Sequence, residues 1–256
     1  MKNKLLPSLF ILPVVTGICG ALLRSSQLIH AYDHETGILK SGEPVTYGLV
    51  AVCVIAALIA VLAAFLLKNG AEIRSLKLGK GLLMSGAAAS AVIIIYAGML
   101  FFSLFDEFDA TSLILALFSV YCAVSLLVLS KYSFAERDST AYNVFSAVPA
   151  FWACFMLILA FREKISDPII ANYVPLMFAY LAILMFCYAM AAHVLGKNKK
   201  HVAVFACFFG IFFILMEIVS PFIAGTVPNA ESIRYMLPQL AFLILMPCTT
   251  AQILKK

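Results

Sequence analysis

The stretch FILMEIVSPF places one carboxyl group, Glu217, inside an apolar run, with Pro221 four residues further on. An ionisable side chain at membrane depth is costly, faces the interior of a helix bundle as a rule, and marks an ion, proton or substrate path by default. Pro221 has no N–H to give to the carbonyl of residue 217. A carboxyl and a freed carbonyl therefore come together, as they do where helices break around a transported species. Gln239 follows Pro238 at a similar depth on the next apolar run, and Arg234 lies slightly shallower. The four residues Glu217, Pro221, Arg234 and Gln239 form the candidate intramembrane polar site. The plainer reading is a hydrogen-bonded glutamate that ties two helices together, with Gln239 as its partner.

Weaker candidates lie in two connections. The segment SSQLIHAYDHETGILKSGEP follows Arg24 and carries Gln27, His30, Asp33, His34, Glu35 and Glu43. Asp, His and Glu side chains suit a divalent metal. Three consecutive residues, Asp33, His34 and Glu35, cannot all face one ion in a regular element, so a structured cap is the better expectation. The turn around Asp106, Glu107 and Asp109 attracts cations in general, but a solvated loop explains it as well. The seven cysteines are not spaced as ligand pairs, and all fall within apolar runs, where cysteine is a small buried hydrophobe. No zinc-protease helix, phosphate-binding glycine loop or nucleophile elbow occurs. No catalytic residue, metal site or cofactor is expected.

These side chains must be held by helices. The chain of 256 residues is 64% hydrophobic and only 12% charged, against about a quarter charged in soluble domains. Eight apolar runs of about twenty residues, each long enough to cross the hydrocarbon core, are predicted over 5–23, 46–67, 81–105, 110–130, 141–161, 168–195, 202–224 and 233–254. The runs do not alternate with period two, which argues against a β-barrel. The fold class is all-α: one polytopic transmembrane bundle of eight spans in a single domain, 1–256. The first run is expected to be an uncleaved helix, since no clean cleavage site follows it. Small residues at four-residue spacing (Gly17 and Ala21; Ala56, Ala60 and Ala64; Gly86 and Ser90) are expected to face neighbouring helices. Pro149, with Asn143, Ser146 and the single Trp152 nearby, is expected to kink the fifth span.

Lysine and arginine are divided unequally between the alternate gaps. Thirteen fall on the side of the two termini, and five (Arg24, Lys40, Arg162, Lys164 and Arg234) on the other, where nine of the thirteen acids also lie. The positive-inside rule then makes both termini cytoplasmic. The net charge of +5 reads as a topology signal, with the bilayer and its anionic cytoplasmic lipid as partners and no nucleic acid. The setting this implies is a bacterial cytoplasmic membrane. Two function classes remain: a transporter or permease-like protein for a small solute or ion, with Glu217 on its path, or a non-transporting accessory, sensor or envelope-assembly component. A lipid- or glycan-processing enzyme is a third, weaker reading, and the protein partner or solute is open.

Overall fold

The computed structural model describes residues 2–31, 39–40, 42–68, 80–106, 108–131, 140–165, 170–197, 199–226 and 230–254. They form eight long helices: α1 (Lys2–Ser26), α2 (Pro44–Lys68), α3 (Lys80–Asp106), α4 (Ala110–Lys131), α5 (Thr140–Lys164), α6 (Ile170–Val194), α7 (Lys200–Ile223) and α8 (Ala230–Leu254). All eight are long and apolar enough to cross a membrane, and the protein is a multi-pass membrane protein. Each helix lies where an apolar run is predicted, with ends displaced by a few residues. Hydrocarbon offers no partner to a backbone N–H or C=O, and the helix satisfies both within its own segment. A π-helical turn, Gln27–Ala31, extends α1.

With each described helix crossing once, the start of α1 and the end of α8 fall on one side, called here the terminal face; the opposite side is the loop face. Helices α3 to α8 form a closed ring: α3 packs on α4, α4 on α5, α5 on α6, α6 on α7, α7 on α8, and α8 returns to α3. The first two helices stand outside it, packed on each other and against α7. The ring is filled by large side chains that are fully buried, among them Trp152, Tyr96, Tyr180, Phe186 and Phe242. Outward positions such as Leu58, Phe65, Leu66, Phe102 and Phe105 are apolar and exposed, as lipid-facing residues are.

Close approach at small residues sets the ring's tightest seam. A Cβ placed on Gly86 would stand 2.4 Å from Ser130 Cβ. One turn along, the Ser90 hydroxyl crosses to the carbonyl of Ala123 at 2.8 Å. Seam α1–α7 is similar, with Gly17 and Gly20 against Leu215 and Phe212. On α2, Ala60 and Ala63 pack on Val204 and Phe208, so Ala63 is more deeply buried than the expected Ala64. All seven cysteines are free thiols.

Gly86→Val should therefore force α3 from α4 and lower the thermal midpoint of the purified protein. Ser130→Gly in the same chain should recover part of the loss, because it removes the colliding atoms. Gly98, with nothing within 4 Å of a built Cβ, should accept alanine with no loss. Equal effects at Gly86 and Gly98 would contradict the packing assigned to this seam.

Candidate functional site

Helix α5 continues to Lys164, one turn beyond its predicted end. Glu163 therefore projects from a final helical turn, not from a connecting loop, and meets the first turns of α8. Arg234 Nη1 lies 3.6 Å from Glu163 Oε1, and the Tyr235 hydroxyl donates to Glu163 Oε2. From Arg234 the network runs on through Nη2 to Ser112 Oγ at 3.5 Å. The Ser112 hydroxyl in turn donates to Asp109 Oδ2 at 2.8 Å. Tyr96 lies within the field of Arg234, and its hydroxyl donates to the Met156 sulfur at 3.4 Å. Tyr180 donates to the backbone carbonyl of Tyr235 at 3.0 Å. One polar cluster thus joins α3, α4, α5, α6 and α8 at the loop face.

Asp109 is the N-cap of α4, accepting from the backbone N–H groups of Thr111 at 3.1 Å and Ser112 at 2.9 Å. Hydrogen bonds from Ser112 and Thr111 hold its carboxyl below the ordinary carboxylate range. The cap therefore strengthens above the ordinary carboxylate pKa and fades as pH falls through the lowered one. Its role is to start a helix and orient Ser112.

Below this cluster lies Gln239, one helical turn from Tyr235 on one side and from Phe242 on the other. It is 0% exposed, and neither its amide oxygen nor its amide nitrogen has a hydrogen-bond partner. A buried orphan of this kind costs about 1–3 kcal/mol per group. Phe242 stacks on Trp152, with centroids 5.9 Å apart and planes at 21°, and the Trp152 N–H is taken up by Ser119 Oγ at 2.9 Å. Beyond this aromatic pair, toward the terminal face, a small cavity of about 30 Å3 lies among α3, α4, α5, α6 and α8. Pro149, Ser146, Phe186, Phe242, Leu245 and Thr249 are among its walls.

A second polar group lies at the seam of α1, α2 and α7. Arg24, 5% exposed, donates to the Gln27 side-chain oxygen. Gln27 in turn donates to Thr46 Oγ1 at 3.1 Å. Glu217 is half-buried on α7, and the cations whose field reaches it are Arg24 and Lys164.

The expected grouping of Glu217, Gln239 and Arg234 is accordingly divided. Gln239 makes no bond to Glu217, since both of its amide atoms are unpartnered, and Arg234 is engaged with Glu163. Pro221 belongs to the end of α7, where its carbonyl accepts from the Thr226 N–H at 3.0 Å in a Schellman-type close around Gly225, φ +72°. The weaker candidates Asp33, His34, Glu35 and Glu107, together with the side chain of Asp106, lie outside the described residues. Among the described residues, no three His, Cys, Asp or Glu side chains converge as metal ligands. Glu163, Tyr235, Ser112, Tyr96 and Tyr180 are absent from the candidates read from the sequence. The available signal is a helix ending in Arg162–Glu163–Lys164 and one beginning Arg234–Tyr235, both on the side holding most of the acids.

Gln239→Leu should raise the thermal stability of the empty protein by about 1–3 kcal/mol, since it removes two unpaired buried groups. A loss of stability instead would mean that the amide has a partner. A double-mutant cycle at Glu163 and Arg234 should show positive coupling, because each single change strands a partly buried charge. Comparison of the chain with protein-family models, with curated proteins and with solved structures gives no match.

Proposed function

We propose that the protein is a permease for a small solute, and that the path runs through the six-helix ring. The observation that carries this reading is the unpartnered Gln239 amide deep in the ring. A protein that only needed a solid core would bury an apolar side chain there at lower cost. The amide lies between a small cavity on the terminal-face side and the Glu163–Arg234–Tyr235 cluster on the loop-face side. That order (cavity, binding group, polar closure) is what a carrier needs in a state closed on the loop-face side. Prolines at 149, 175, 238 and 247 interrupt the hydrogen-bond ladders of α5, α6 and α8, giving these helices places to bend. Glu217, with Arg24 and Lys164 near it, lies at the α1–α7 seam and acts as a structural charge in this reading.

The unequal division of lysine and arginine supports a cytoplasmic terminal face in a bacterial cytoplasmic membrane, with anionic lipid against its basic connections. The cavity then lies in the cytoplasmic half of the ring. In a cysteine-free chain, an impermeant maleimide added outside should label a cysteine at 36 and not one at 198. The reverse result would invert the orientation.

Transport is tested with the full chain in proteoliposomes loaded with small solutes of positive, negative and zero charge. At least one class should escape faster than from empty liposomes. Gln239→Leu, checked to be folded, should abolish that excess. Equal escape for every class with and without protein would refute the permease reading and leave the non-transporting alternative.

A further inference from the structure

Resting on the permease reading, we propose that the Glu163 carboxylate is a proton site, and that taking up a proton there unlocks the loop-face end of the ring.

The contacts that close this end run across the ring, not around it. Helices α5 and α8 are not neighbours in the ring, and neither are α4 and α8. Yet Arg234 of α8 reaches Glu163 of α5 at 3.6 Å and Ser112 of α4 at 3.5 Å. The Tyr235 hydroxyl of α8 donates to the same carboxylate. Deeper in, Phe242 of α8 stacks on Trp152 of α5, and the unpartnered Gln239 amide lies between the two crossings. Neighbouring helices hold one another by packing along their length. A crossing between helices that are not neighbours has little but its own few atoms to keep it. Pro238 gives the segment above Gln239 a place to bend, because it has no N–H for the carbonyl of Arg234.

The carboxylate is placed to receive a proton. Glu163 and Arg234 are 28% and 26% exposed, so water at the loop face reaches the pair. A proton from that water adds to a carboxylate oxygen and makes Glu163 neutral. The guanidinium stays charged and loses its counter-charge, since Glu163 is the acid paired with Arg234 among the described residues. The bond from Tyr235 weakens as well, because a neutral acceptor is poorer than an anion. Water then competes for Arg234, and the start of α8 is released from α5. The groups that face Glu163 are Arg234 and Tyr235 on α8, Tyr180 on α6, Tyr96 on α3 and, through Ser112, Asp109 on α4. Arg162 and Lys164 flank it on α5, and the field of Lys164 extends to Glu217 on α7. Asp109 is engaged as the cap of α4, and Glu217 stands at the α1–α7 seam.

Trp152 is the single tryptophan of the chain, and it lies fully buried beneath the crossing, so its quenching reports the opening. Purified full-length protein in lipid bicelles would be titrated with acrylamide, a small uncharged quencher, at about pH 7.5 and about pH 4, on either side of ordinary glutamate titration. Quenching should rise at least twofold at the lower pH and fall back on neutralisation. Glu163→Gln, checked to be folded by thermal unfolding, should be strongly quenched at both pH values with no step between them. Asp109→Asn and Glu217→Gln should each keep the step. Absence of a reversible step in the unaltered chain would overturn the proposal, and that measurement needs no variant to fold. A step that survives Glu163→Gln would overturn it too. The permease reading fails separately. A Glu163-dependent step without solute flux in proteoliposomes refutes transport and keeps the proton site. Flux that ignores both pH and Glu163→Gln refutes the proton site and keeps transport.

Discussion

Within a bilayer, apolar side chains gain nothing from leaving lipid for protein, because the tails are as apolar as leucine. That constraint governs this molecule. Helices must be held by close approach and by a few hydrogen bonds, and the two occur together here. The α3–α4 seam is tight enough that Gly86 has no room for a Cβ beside Ser130, and Ser90 bonds across it to the carbonyl of Ala123. At the loop face, five helices share one chain of polar contacts from Asp109 to Glu163. Contact area alone would hold neither arrangement in a unique register.

The ring also separates two uses of polarity. At its loop-face end, every polar group that the cluster employs is paired, and the pairing joins helices. Deeper in, Gln239 is surrounded by apolar and aromatic side chains and left unpaired. Between it and the cavity lie two stacked rings, Phe242 and Trp152, fixed by one hydrogen bond to Ser119. On the permease reading proposed above, a solute entering from the terminal face would meet this aromatic pair before the amide.

The eight helices were legible from the chain because span length and continuous hydropathy are properties of single segments. So were several packing faces, at Gly17, Ala56, Ala60, Gly86 and Ser90, since a small residue advertises close approach wherever it lies. The partners of polar residues were not legible. Glu217 and Gln239 stand at matching depths on consecutive helices, which suggests a pair. However, α8 packs chiefly on α3, and α7 is turned toward α1, α2 and α6. Depth follows from sequence, whereas rotation about a helix axis depends on neighbours that are distant in sequence. Glu163 was hidden for a different reason. It sits between Arg162 and Lys164, a triplet that reads as a solvated connection until α5 is seen to continue through it.

The place of α1 and α2 outside the ring bears on how the chain is made. Both are synthesised first, yet their main partner, α7, is nearly the last to emerge, with four helices in between. At 5–20 residues per second this is a wait of roughly ten seconds or more. During it, the polar residues of α1 face lipid or the insertion machinery without their final neighbours. The bond from Arg24 to Gln27, three residues apart on one helix, can form within α1 alone, and the contact with Thr46 needs only α2. The first hairpin thus carries its own means of shielding a buried cation during biogenesis, and it can wait in the membrane as an independent unit until α7 arrives.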